Sequence, residues 1–556
     1  MKYPYRLLLT LFSAIVLIGC GGGGNSGNGG TVSSKTIAIT EDNQVSSLGK
    51  GDIQAIVNIG TTPKSLYVLL KNNSKTQSTS SRVTHNAKAV PAPKNKKLIS
   101  DGVTKYPEIM HAPIHIQEFN KKVRVPAQQN TPINHLAKYA TSAPRSAKNV
   151  GDQETFYIDQ YSSGATTYAT LKKVITNVST AFGNKTLKVW VSDDSFGEGC
   201  AKTRCVTQSM VENLADTFLK TGKDNDIYDW VTNIFGEEWG NAASAKKSNL
   251  VGDNNEIHIL LTDIDQDNRE NGGVIGYFYS KDNYKTSALS GSNEKMMFYA
   301  DAIMFANTDG NGFWQKELYS TLAHEFQHMI HFYQKTTLLD ASDDTWINEM
   351  LSETTEDLIA TKIQHTGPRG VAHTDGSAGN AGNTEGRYPL FNQNSTLSLT
   401  AWHNTLADYS KVSAFGTFLT RNYGGAKILH DIMKNNKLHE DAVMYAIHKV
   451  PGNESKTFDE ILKEWGVAVL LSDQDNLDPN KPTYNTGDFT PTTYKHSTYE
   501  LGSINFFNYE PQPYFSNCSS IQAGANCYYK VGDNLTGTAT IDLSLGADAE
   551  ATLIAK

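Results

Sequence analysis

The sequence predicts an α+β protein, with a central block of mixed strands and helices flanked by small β-rich modules. Three observations carry that expectation. Two apolar runs, LKVWVSDD (187–194) and NEIHILLTDID (255–265), read as largely buried strands. Between them, VTQSMVENLADTFLK (206–220) and IYDWVTNIFGEEW (227–239) repeat apolar residues at helical spacing. Toward both ends of the chain, shorter runs such as IQAIVNIG (53–60) and GTATIDLSL (537–545) alternate apolar and polar residues, as half-buried strands do.

The elements can be taken in order. Residues 1–19 have a basic start (Lys2, Arg6) and an apolar stretch from Leu7 to Ile18, too short to span a bilayer comfortably. They read as a signal peptide. The segment ends Leu17-Ile18-Gly19-Cys20, which resembles the lipobox of bacterial lipoproteins. That resemblance implies cleavage before Cys20, lipidation of its sulfur and a membrane anchor at the bacterial envelope, outer membrane or cell surface. A glycine-rich tether follows over 20–34. Residues 35–75 read as a small β domain, and 76–150 as a polar Pro/Ser/Lys linker or prosegment. The block 151–475 carries the strands and helices above, with further helices expected at 314–333, 346–363 and 412–422. Residues 476–556 return to β character.

Composition narrows the function. The 556 residues carry 50 Lys+Arg against 58 Asp+Glu, a net charge of −8, so no basic footprint for nucleic acid exists. Five cysteines are present. With Cys20 assigned to lipid, Cys200 and Cys205, and Cys518 and Cys527, form two close pairs. In an oxidising compartment these are expected as two local disulfides. A four-cysteine zinc site competes poorly, because neither pair has C-x-x-C spacing. No G-x-S-x-G or GK[ST] loop occurs, which removes serine-hydrolase and P-loop readings.

The chemistry lies in YSTLAHEFQHMIHFYQ, where His324, Glu325 and His328 make an H-E-x-x-H motif. On a helix, positions i and i+4 share a face, so both imidazoles can reach one metal ion while Glu325 sits beside that face. The neighbours Leu322, Ala323, Phe326, Met329 and Ile330 are apolar, as in a buried helix. Uncompensated buried histidines would be costly there, and a metal accounts for them better than packing does. A catalytic zinc needs a third protein ligand. The H-E-x-x-H-x-x-G-x-x-H extension is absent, since His331 and Gln334 stand where Gly and His would be. The remaining candidate is Glu349 in TWINEMLSETTEDL, 21 residues past His328. Glu353, four residues further on the same face, is placed to accept a hydrogen bond from the outer nitrogen of a ligating His.

H-E-x-x-H followed by N-E-x-x-S-E resembles the gluzincins, zinc peptidases with two His ligands and one Glu. HEFQHMI, WINEMLSE and DIYDWVTNIFGEEWG together resemble the hyicolysin family of bacterial metallopeptidases, over about residues 150–475. The resemblance implies a zincin-like catalytic domain acting as an endopeptidase on protein or peptide substrates. It implies that His324, His328 and Glu349 hold one Zn2+, with Glu325 the general base and Glu353 behind the ligands. An oxyanion-stabilising Tyr or His is also implied downstream. Tyr409, in a Y-x-K context like the aminopeptidase branch, is preferred to Tyr423; ordinary core tyrosines are the alternative.

Weaker signals complete the reading. His331 shares the face of His328 and is expected as a packed or supporting histidine. Asp263, Asp265 and Asp267 resemble the start of a Ca2+ loop. A solvated acidic loop competes, since Asn268 stands where such a loop needs Gly and Val274 where it needs Glu. GGVIGYFYS, from Gly272, is expected at the edge of the substrate cleft. The competing functions are a surface adhesin on a zincin scaffold, and an aminopeptidase. The latter needs an acidic anchor of the G-x-M-E-N type, and none precedes His324.

Overall fold

The computed structural model describes residues 32–87, 109–110, 112–123, 149–158, 165–253, 255–310 and 312–556. The expected signal peptide, Cys20 and most of the tether lie outside the described residues. Four strands come first: β1 (Ser33–Ala38), β2 (Gln44–Gly49), β3 (Asp52–Asn72) and β4 (Ser81–His85). Within the segment expected as linker, a short strand β5 (Ile109–Met110) and a helix α1 (Ile114–Asn120) form.

The central block begins with β6 (Gln153–Tyr157), β7 (Thr166–Thr180) and β8 (Gly183–Ser192), successive antiparallel neighbours. Helices α2 (Gln208–Phe218), α3 (Ile227–Phe235) and α4 (Ala242–Lys246) lead to β9 (Glu256–Thr262), parallel to β8. Caps set the helix limits. The Thr207 side chain accepts from Met210 N and that of Asp226 from Asp229 N, while Gly236 at φ 96° stops α3. Then come β10 (Gly273–Val274), β11 (Gly276–Phe278), β12 (Met296–Asp301) and the short α5 (Ala302–Phe305). The sheet order is β11-β12-β9-β8-β7-β6. Strands β9 and β12 are covered on both faces, which is why they read as apolar runs rather than alternations.

Helix α6 (Phe313–His331) packs under the edge strand β11, and its residues from Ser320 to His331 are buried without a break. Such a helix has no solvent face, so its polar side chains must find partners inside. At Gly276 a Cβ would lie 3.0 Å from Tyr299 O and 3.1 Å from Thr321 Cγ2, so a larger residue would crowd the approach of β11 to α6. Helix α7 (Thr345–Ile359) packs on α6, and after α8 (Tyr388–Asn394), α9 (Leu406–Asn422) packs on α7. Gly416 makes that last contact; any Cβ there would collide with Thr354. Helices α10 (Ala426–Met433), α11 (His439–Ile447) and α12 (Phe458–Leu470) complete the helical layer.

The last strands are a hairpin, β13 (Thr490–Tyr494) and β14 (Ser497–Leu501), followed by β15 (Asn526–Leu545) and β16 (Ala549–Ala555). Strand β15 runs antiparallel to β3 along most of its length, and β16 takes the other edge of β3 over Leu66–Asn72. The β segments at the two ends of the chain therefore share one six-stranded sheet, β2-β16-β3-β15-β4 with β1 on β3. A long strand such as β3 exposes two edges of unpaired backbone groups; β1 pairs with Ile53–Asn58, and the other segments that satisfy it, β15 and β16, lie at the far end of the chain. Cys200–Cys205 and Cys518–Cys527 are disulfide-bonded; the second ties the approach loop to β15.

Candidate metal centre

Helix α6 places the imidazoles of His324 and His328 on one face, with ring centroids 4.8 Å apart. Glu349, one turn into α7, faces them. Its Oε2 is 3.1 Å from His324 Nε2 and 3.4 Å from His328 Nε2. All three side chains are buried, and His328 Nε2 has no hydrogen-bond partner. A buried ring nitrogen left in that state is costly unless another ligand takes its lone pair. Two nitrogens and one carboxylate oxygen converging in this way fit a zinc ion. The ligand atoms of Glu325 also lie within 4.8 Å of those of His324 and His328.

Each imidazole is held from behind. His324 Nδ1 donates to Glu356 Oε1 at 2.7 Å, and Ser320 Oγ donates to Glu356 Oε2 at 3.0 Å. The Ser352 hydroxyl donates to Gln327 Oε1, leaving its oxygen to accept from His328 Nδ1 at 3.2 Å. The contact expected of Glu353 is thus made by Glu356, the next acidic residue on the same face of α7. Glu353 instead receives Arg387 Nε at 3.0 Å and Arg387 Nη2 at 2.8 Å. Burial would lower the His324 pKa, but the Glu349 and Glu356 carboxylates on its two nitrogens hold it well above the usual value. Burial likewise opposes ionisation of Glu349, yet His328 and His324 pull its pKa far down.

The other expected residues fall around this cluster. Glu325, fully buried, accepts the edge-strand N–H of Phe278 at 2.8 Å through Oε2. The edge strand expected from GGVIGYFYS is therefore β11, and it is bonded to the motif glutamate. Tyr409 sits in the first turn of α9, which a Thr405–Asp408 capping box starts. Its hydroxyl donates to Asn404 Oδ1 at 3.0 Å, and its ring lies under the Arg387 guanidinium. Burial, then Glu349, Glu325 and Glu353, raise the Tyr409 pKa well above 10 and keep it a phenol. Tyr423 is elsewhere, bonded to Glu464 and Lys456. His331 is buried, and burial followed by Lys335 and His328 keeps it neutral. It lines a small cavity beside His328, Asn348 and Glu349.

The acidic loop does not make a calcium site. Asp263 is occupied by Lys202 Nζ at 2.7 Å and by the Asn268 backbone N–H, and Asp267 pairs with Arg269. Among the described residues, no metal-ligand cluster includes this loop. A lysine supplies the positive charge that an ion would have brought.

Sequence reasoning missed Glu356, Arg387 and a contact from α1. Gln117 Nε2 donates to Glu349 Oε1 at 3.1 Å and to Tyr409 Oη at 2.9 Å. A signal for Glu356 was present, since it lies seven residues, two helical turns, past Glu349. None pointed to Gln117.

A buried H-E-x-x-H helix faced by a carboxylate-bearing helix is the arrangement of a metallopeptidase. Comparison with known proteins agrees. The peptidase M30 family is matched over residues 165–506, more than half of the chain, and the chain belongs to that family. Over 350 residues it is 25% identical to neutral metalloprotease ShpI of Staphylococcus hyicus, an alignment covering 61% of this chain and 67% of that protein. The hyicolysin resemblance holds, and the chain is a metalloprotease. Among the described residues, no helix is long and apolar enough to cross a membrane.

Proposed function

We propose that the protein is a zinc endopeptidase attached to the bacterial envelope, with His324, His328 and Glu349 as metal ligands and Glu325 as general base. The observation that carries this reading is the convergence of two imidazole nitrogens on Glu349 Oε2 in a buried site, with Glu325 alongside. A zinc ion held by these residues supplies Lewis acidity, lowering the pKa of a water and polarising the scissile carbonyl.

The chain's own groups do the rest. Glu356 and Ser352 bind the two Nδ1 atoms and so turn both Nε2 atoms toward Glu349, where all three side chains would share the metal. Glu325, oriented by the Phe278 N–H, takes the proton of the attacking water and delivers it to the leaving amine. Tyr409, kept neutral, donates its O–H to the developing oxyanion. Strand β11 offers backbone groups along which an extended peptide can lie. Replacing Glu325 by Gln should lower peptide hydrolysis by roughly 10²–10⁴-fold, the usual worth of a positioned base, with zinc content kept near one per chain. Undiminished hydrolysis by that variant overturns the mechanism. The lipobox supports attachment through Cys20, so palmitate labelling should vanish in Cys20→Ser; labelling that persists rules this out.

A further inference from the structure

We propose that β5 and α1 are a built-in occupant of the substrate cleft, an autoinhibitory segment that must be displaced before a peptide can bind. The inference rests on the metallopeptidase reading above and adds a regulatory device to it. Strand β5 pairs in parallel with β10, Ile109 opposite Gly273 and Met110 opposite Val274, and Ile275 N donates to Met110 O. The segment thus adds itself to the backbone edge that runs into β11. The helix then turns across the centre.

Two carboxamides on α1, three residues apart and so on one face, make the decisive contacts. Asn120 Nδ2 donates to Phe278 O at 2.9 Å, and Asn120 Oδ1 accepts from Ser280 N at 2.8 Å. This two-bond pairing is what the N–H and C=O flanking one residue of a bound peptide would make with the same strand. Gln117 reaches the centre itself. Its Nε2 lies 3.1 Å from Glu349 Oε1, 2.9 Å from Tyr409 Oη and 3.1 Å from Asn404 Oδ1, and its Oε1 accepts from Trp402 Nε1 at 3.0 Å. One side-chain amide therefore engages both a proposed metal ligand and the proposed oxyanion donor. Burying an amide is costly unless it is bonded, and Gln117, 7% exposed, is bonded at both ends.

Apolar anchors hold the helix in place. Ile116 is fully buried, and Phe119 packs edge-on against Tyr279 and Tyr284 at 5.1 and 6.0 Å. The helical form also explains how the segment can sit in a peptidase cleft uncut. The main-chain N–H groups of Ile116 and Gln117 are bonded to Pro113 O, so the backbone is coiled and not extended along β11. The amide at the centre is a side-chain amide. Because the segment belongs to the same chain, it competes with substrate at an effective concentration on the order of millimolar.

The test uses the full chain loaded with zinc. In Gln117→Ala/Asn120→Ala, kcat/KM on a quenched fluorescent peptide should rise at least tenfold. Affinity for a labelled peptide hydroxamate should tighten by a similar factor. Ile116→Asp, which loosens the helix through a different contact, should act in the same direction. A synthetic peptide of residues 109–123 should inhibit the double variant. Equal rates and equal hydroxamate affinities in wild type and in both folded, zinc-loaded variants overturn the proposal. If no chain hydrolyses peptide while the variants still bind hydroxamate more tightly, the segment's role stands and the peptidase mechanism is what fails.

Discussion

Among the described residues two sheets of six strands form, and they are buried differently. In the central sheet, buried ionisable groups are frequent: Lys185, Lys188, His258 and Asp301 lie in or at the ends of its strands, and Glu325 is bonded to its edge. The terminal sheet buries mainly aliphatic side chains on both faces, with Lys64 and Lys71 of β3 the charged exceptions, paired with Asp42 and Asp459. Leu66, Val68, Leu70 and Leu553 form its own core, while the alternate residues Tyr67, Leu69 and Ile554 face the catalytic body. The difference teaches where stability and chemistry are drawn from. The terminal sheet stabilises mainly by area removed from water, whereas the central sheet also carries buried charges held by partners, Lys185 by Glu238 and Lys188 by Glu256.

Three measurements would break or sharpen that contrast. Leu553→Ala, a cavity in the terminal sheet, should cost about 2–5 kcal/mol of unfolding free energy and leave kcat/KM unchanged. A matching loss of activity at a temperature where the variant is folded would show that the two sheets are not separable. Acid sensitivity should reside in the central body. Burial, opposed by Glu256, lowers the His258 pKa to about 4, and Trp190 Nε1 donates to its Nδ1. The unfolded chain takes up that proton near pH 6.5 and the folded chain only near pH 4. Stability is therefore full above pH 6.5 and lost as pH falls toward 4, by roughly 1.4 kcal/mol per unit. His258→Gln should make melting temperature fall less steeply across that window; an unchanged slope would place the acid-sensitive group elsewhere. The smallest expected effect is at Glu356. Its change to Ala should weaken zinc affinity by roughly 10–100-fold, as loss of a group orienting a ligating histidine does. Unaltered affinity would mean that Glu349 and the helix itself are enough to orient His324.

Local pattern accounts for much of this. The strands at 187–194 and 255–265, the helices carrying His324 and Glu349, and the cysteine pairs all depend on neighbours within a few turns. Periodicity reports such neighbours directly. What local pattern leaves open shares one cause. Glu353 and Glu356 lie on the same face of α7, and only the way α7 crosses α6 decides which carboxylate meets His324. Asp263, Asp265 and Asp267 resemble the start of an ion loop, with a solvated acidic loop as the competing reading, and Lys202, some sixty residues earlier, pairs with Asp263. Segments 35–75 and 476–556 read as two β modules because strand pairing across the chain leaves no local trace.

The sequence by itself determined the kind of chemistry available, because H-E-x-x-H on a helix and a glutamate at the start of the next helix are short-range facts. Tertiary structure decided which groups hold those residues, that Phe278 bonds Glu325, and that Gln117 lies over the centre. These contacts join residues 24 to nearly 300 positions apart. Their partners are chosen by helix crossing and sheet register, which no local spacing encodes.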